Sequence, residues 1–174
     1  LVLDELGSST VPAGPKPAGA RKAGLRELGD GDLLKLKELL KDAYRPGSRQ
    51  MLLLYLSGWL AKARVSPLSA VKLAKMLYDE TRDEDPLKTR LSAVVYSYKK
   101  AGIDVDAYAD EIEGIAGVKP YGLEREISEA EVKGKSGLQE VLEGVLGEER
   151  ALVVLKGVED VLGVSSPFKD SIIE

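Results

Sequence analysis

The 174-residue sequence contains no cysteine and no histidine. Without Cys there is no disulfide framework, and without either residue no zinc site of the Cys/His kind. Neither a Ser-His-Asp nor a Cys-His nucleophile system can be assembled. Acid–base work near neutral pH would fall to a carboxylate, Lys or Tyr with a strongly shifted pKa. Aromatic residues are scarce, at 5% of the chain with one Phe and one Trp, so the core is expected to be aliphatic. No apolar run approaches the roughly 20 residues of a membrane span. The start lacks a basic n-region followed by an apolar h-region. These absences lead to the expectation of a cytoplasmic protein with no membrane partner.

What remains favours helix. Leu, Ala, Lys and Glu dominate, and hydrophobic residues make up 44% of the chain. Residues 7–24, GSSTVPAGPKPAGARKAG, have linker composition: four Gly, three Pro, four Ala and three Ser or Thr. The apolar Leu1, Val2, Leu3 and Leu6 before them read as the tail of an upstream domain. Residues 1–29 are therefore assigned to that tail plus the linker, 30–118 to a basic helix bundle, and 119–174 to an acidic helical extension.

The punctuation of the bundle is clear. A first helix is expected at about 32–44, capped by Asp30 or Asp32 and stopped by Pro46-Gly47. A second, about 49–64, follows Ser48 as N-cap. Its stretch MLLLYL is apolar on every face, which marks a central helix, and Gly58 within it suggests a closely packed neighbour. The third has Ser66 as N-cap and Pro67 at its first position, and runs to about 80. The fourth repeats the device with Asp85 and Pro86 and ends at Gly102. A short helix is expected after Asp104 or Asp106, an irregular stretch over 116–136, and helices at 138–146 and 148–162 on either side of Gly147. A further turn or cap is expected at Ser165-Ser166-Pro167. The fold class expected is all-α: an antiparallel bundle of about four to seven helices with a flexible N-terminal linker.

Charge is unevenly distributed. Residues 30–102 hold fourteen basic and nine acidic residues, net +5, whereas 103–174 hold seven and seventeen, net -10. Two stretches contain no acid at all. Residues 43–78 carry Arg45, Arg49, Lys62, Arg64, Lys72 and Lys75, and residues 86–103 carry Lys88, Arg90, Lys99 and Lys100. Uncompensated cations attract a polyanion. The bland alternative is a solvated surface whose cations meet the acidic C-terminal third.

Within that surface, Arg45 and Arg49 flank Pro46-Gly47-Ser48, where a helix N-terminus would join two guanidinium groups in holding a phosphate. On the fourth helix, Leu87, Leu91, Val94, Val95 and Tyr98 share the core face. Tyr96 lies opposite, near Lys99 and Lys100, where a base could stack on an exposed ring. The acidic cluster Asp79, Glu80, Asp83, Glu84 and Asp85 reads as a solvated loop and cap. Asp104-Val105-Asp106 reads as capping. Gly134-Lys135-Ser136 ends like a phosphate loop, but position 129 is Glu and no strand precedes it, so that reading is excluded.

The stretch Tyr44-Arg45-Pro46-Gly47-Ser48-Arg49-Gln50, followed by MLLLYLSGWLAKARVSP and then DEDPLKTRLSAVVYSYKKAGIDV, resembles a known family. It is similar, over about 30–118, to the helix-bundle domain that follows the catalytic domain of archaeal plasmid-type primase-polymerase replication proteins. The resemblance implies a non-catalytic domain of a DNA primase. Such a domain binds single-stranded template DNA and the initiating nucleotide. The family's catalytic domain carries an acidic metal site and a His, so it would lie upstream. No intrinsic cofactor is implied; ATP or another nucleoside triphosphate would arrive with Mg supplied by that catalytic domain. A downstream helicase domain is a further implied partner. The candidate DNA- and phosphate-binding residues are Arg45, Arg49, Gln50, Lys62, Arg64, Lys72, Arg90, Tyr96, Lys99 and Lys100. A helical protein-interaction domain without nucleic-acid contact is the other open reading.

Overall fold

Ser66-Pro67 shows how locally the helices are set. The Ser66 hydroxyl accepts the Leu68 N–H at 3.0 Å and Pro67 opens the helix, so the start is fixed within three residues. The computed structural model describes residues 24–163. The expected linker, apart from Gly24, and the turn at Ser165-Ser166-Pro167 lie outside them. The described residues form seven α-helices: α1 (Asp30–Leu40), α2 (Arg49–Lys62), α3 (Pro67–Glu80), α4 (Leu87–Lys100), α5 (Ala109–Ala116), α6 (Lys135–Leu146) and α7 (Glu148–Leu162). Short 3-10 turns lie at Lys41–Ala43, Val105–Tyr108 and Leu123–Glu126. The all-α class holds. Among the described residues the only β contact is an isolated bridge between Arg26 and Val65.

Four expected caps differ. Asp30 and Asp32 lie within the first turn of α1, whose N-cap is Gly29 with no side-chain bond. Ser48 makes no cap bond to α2; its hydroxyl donates to Ala43 O at 2.8 Å and so closes the preceding turn instead. Pro86, not Asp85, precedes α4, because the Asp85 carboxylate is taken by Arg90. Asp104 makes no side-chain cap, and Asp106 pairs with Lys99 rather than capping.

α2 and α4 pack side by side and run the same way, with α3 returning in the opposite sense. Gln50 meets Thr89 and Ser92 near both N-termini, and Ser97 Oγ donates to Leu54 O at 2.6 Å further along. At the opposite end Tyr98 OH donates to Val65 O at 2.8 Å, tying the close of α4 to the start of α3. Every residue of α2 from Leu52 to Ala61 is buried, as its uniform apolarity requires. α6, α3 and residues 132–134 cover the faces that α4 leaves. The core is one cluster running from Leu28 to Leu162, so 30–118 and the described part of the acidic extension, 119–163, share it, and Leu138, Leu142, Ala151 and Val158 belong to it.

Two glycines of α6 test this packing with one substitution of opposite effect. A Cβ at Gly137 would lie 2.7 Å from Tyr55 Cγ and 2.6 Å from Lys133 Cβ, whereas one at Gly144 meets nothing within 4 Å. Gly137→Ala is expected to destabilise the fold by about 1–3 kcal/mol through overpacking. Gly144→Ala is expected to stabilise it by up to about 1 kcal/mol through helix propensity. Urea unfolding of the two variants measures both.

Candidate nucleic-acid interface

At the N-terminal ends of α2 and α4 the arginines turn inward, toward one carboxylate. The side chain of Asp83 has no solvent exposure. Its Oδ2 accepts from Tyr44 OH at 2.7 Å and Arg90 Nε at 2.5 Å. Its Oδ1 accepts from Arg90 Nη2 at 3.0 Å, the Asp85 N–H at 3.1 Å and Arg49 Nη1 at 3.3 Å. Burial by itself would raise the Asp83 pKa; hydrogen bonds from Arg90, Tyr44 and the Asp85 N–H outweigh it and lower the value to about 2. Burial first, and then the hydrogen bond to Asp83, raise the Tyr44 phenol far above its ordinary value.

This network accounts for three candidate residues. Arg90 is 6% exposed and bridges Asp83, Asp85 and the Gln50 carbonyl oxygen. The Gln50 amide nitrogen donates to Thr89 O at 2.9 Å. Arg49 also lies over the Tyr44 ring, 5.2 Å from its centroid. These groups join elements together and are not presented to a ligand. Asp83 is correspondingly not part of a solvated loop. Arg45 is exposed and its Nε donates to Asp42 O at 2.5 Å, so the two arginines do not converge outward at the start of α2.

At the other end of the same two helices, about 20 Å away at 1.5 Å per residue, Lys62 and Lys100 flank a groove of about 290 Å³. Gly58, Ser97 and Ala101 also line it, and residues 130–134 form its far wall. Neither lysine has a carboxylate partner among the described residues. The Lys100 ammonium sits 5.6 Å from the centroid of the Tyr96 ring. Tyr96 itself is half-buried rather than an open platform. Its hydroxyl donates to Ala130 O at 3.0 Å and accepts the Ala130 N–H at 2.9 Å. Lys99 is held between Asp106 at 3.2 Å and Glu124 at 3.3 Å. Burial acts to lower its pKa, but the bonds to Asp106 and Glu124 prevail and raise it.

The ten candidates therefore fall at separate places. Arg64 packs beside Gly24, in the turn after α2, and Lys72 lies on α3 beside Asp30, Lys75 and Asp79. Of the ten cations in the acid-free stretches, Arg49, Lys75, Arg90 and Lys99 are paired. Arg45, Lys62, Arg64, Lys72, Lys88 and Lys100 have no carboxylate partner among the described residues. Sequence reading missed the role of Asp83 and the contact of residues 130–134 with α2 and α4. Gly58 is the one signal for the latter: a Cβ there would collide with Val132 Cγ1. Among the described residues no group of three or more carboxylates is arranged to hold a metal, and no helix is long and apolar enough to cross a membrane.

The Asp83 network carries two predictions. Asp83→Ala strands the guanidinium of Arg90 in the interior and is expected to cost about 3–5 kcal/mol in urea unfolding. The folded pKa of Asp83 lies below its ordinary 3.8, so its contribution is present above about pH 4 and is lost as the pH falls toward 2. Stability is expected to drop by about 2 kcal/mol across that window on this account alone, and Asp83→Asn removes that part of the acid dependence.

No protein-family model matches the chain, and neither a curated protein nor a solved structure matches it.

Proposed function

We propose that the chain is an accessory helix-bundle domain of a DNA primase, which binds single-stranded template and an initiating nucleotide and performs no bond-making itself. The observation that carries this reading is the groove between α2 and α4, flanked by two lysines that no carboxylate neutralises. A phosphate bridging Lys62 and Lys100 would replace water around both ammonium groups, with Tyr96 beside them for a base. Arg45, Arg64 and Lys72 extend the supply of unpaired cations. The paired arginines, Arg49 and Arg90, support the site by fixing the register of α2 against α4. The resemblance of residues 44–67 and 83–105 to replication primases supplies the class of ligand.

One observation favours the alternative of a protein-interaction domain. Leu34, Leu152 and Val153 are 49%, 57% and 68% exposed, and an apolar groove of about 650 Å³ runs between α1 and α7. Removing residues 119–174 would not separate the readings, since residues 123–162 contribute to the core. Point changes do.

Fluorescence anisotropy with a labelled single-stranded oligonucleotide tests the proposal. Lys62→Ala/Lys100→Ala is expected to weaken binding roughly tenfold at low salt and to flatten the salt slope by about 1.4, at about 0.7 per phosphate contact. Leu152→Asp/Val153→Asp should leave that affinity unchanged. Absence of binding by the wild-type chain at low salt would remove the proposal and leave the interaction-domain reading.

A further inference from the structure

The wall of the lysine groove is attached differently from the rest of the molecule. Among the described residues, the backbone of 128–132 hydrogen-bonds only to the Tyr96 hydroxyl, through Ala130. The side chain of Val132 fills the notch left by Gly58 on α2. The segment has no regular structure, and it ends at Gly134, whose φ of +64° and ψ of -134° suit glycine. Few backbone hydrogen bonds and only two packed apolar side chains, Ala130 and Val132, are the marks of a segment that opens at low free-energy cost.

Its charge opposes its position. Glu131 lines the groove with Lys62 and Lys100, and Glu129 is exposed two residues before it. Neither forms an ion pair among the described residues; Glu131 brings its carboxylate to the groove of the two lysines, sharing its field with Lys133 of the same segment. Tyr96 is engaged by the same segment through its hydroxyl, while Lys100 lies over its ring. Both lysines are exposed, whereas the Tyr96 hydroxyl stays tied to Ala130 for as long as residues 130–132 occupy that side.

We infer that residues 128–134 form an acidic strap that competes with a single-stranded nucleic acid for the Lys62–Lys100 groove, and that the strand is admitted only when the strap lifts. This rests on the nucleic-acid reading of the groove and adds a gate to it. Lifting withdraws Glu131 from the lysines, empties the notch at Gly58 and frees the Tyr96 hydroxyl and ring together. The exchange is electrostatic: phosphates replace carboxylates beside the same two ammonium groups.

The absence of native cysteine makes a direct lock available. A Cβ at position 58 points at the Val132 side chain, within the reach of a disulfide. In Gly58→Cys/Val132→Cys the oxidised protein, its bridge verified by thiol titration, is expected to bind a labelled oligothymidylate at least about tenfold more weakly than the same protein after reduction. Tyr96→Phe keeps the ring and removes both bonds to Ala130. Glu131→Gln removes the competing charge. Each is expected to tighten binding about threefold at low salt. Equal affinity in the oxidised and reduced states, or unchanged or weaker binding in Tyr96→Phe and Glu131→Gln, overturns the strap while leaving the groove as the site. Failure of the wild-type, reduced and substituted proteins alike to bind overturns both.

Discussion

A carboxylate cut off from water must be surrounded by donors, and Asp83 is. The donors come from the connection before α2, from α2 itself, from the connection before α4, and from α4. Satisfying one anion therefore ties the start of α2 to the start of α4 across 34 residues of chain. Arg90 is the hinge pin, since it also reaches the side chains of Asp85 and Gln50. A buried ion pair is often no more stabilising than an apolar replacement. What it contributes here is placement. A one-turn slip of α4 along α2 would break the Arg90 bond to Gln50 and the Asp83 bonds to Tyr44 and Arg49 together, whereas the aliphatic contacts between the helices could re-form.

That placement sorts the basic residues into two kinds. Arg49 and Arg90 are structural, because guanidinium groups match a buried carboxylate with several directed bonds. The cations without partners are mostly lysines at helix ends or on outer faces. Lys99 and Lys100 show how fine the division is. They are adjacent on α4, yet one is clamped between Asp106 and Glu124 while the other lies over the Tyr96 ring. The 100° between successive helical positions decides which lysine meets the acidic segment that follows.

Much of the fold was legible because its signals are local. Pro67 behind Ser66, Gly147 between α6 and α7, and the uniform apolarity of α2 act over a few residues. The site was less legible because it depends on distant partners. Arg49 looked free since no acid lies near it in sequence, yet its carboxylate is 34 residues away. Tyr96 was correctly placed off the main core face of α4. Nothing in its neighbourhood showed that Ala130, from a stretch with weak periodicity, would cover it. Asp83 was hidden among four other acids whose side chains are exposed or at the surface, and no spacing rule singles out the one that turns inward. Gly58 held the usable hint of a close neighbour, but a glycine does not say which segment approaches it.

The shared direction of α2 and α4 has a consequence for the field around the molecule. Parallel helices add their macrodipoles instead of cancelling them. The positive ends coincide at Asp83, where they assist its ionisation alongside the arginines. The negative ends coincide beside Lys62 and Lys100, the last residues of the two helices. Part of the lysine charge is thus spent on backbone carbonyls, and the potential reaching into solvent is smaller than two ammonium groups would produce alone. A polyanion passing at a Debye length would be drawn weakly, while one touching the groove would meet both ammonium groups at full strength. The charge at this end of the bundle is therefore felt more at contact than at a distance.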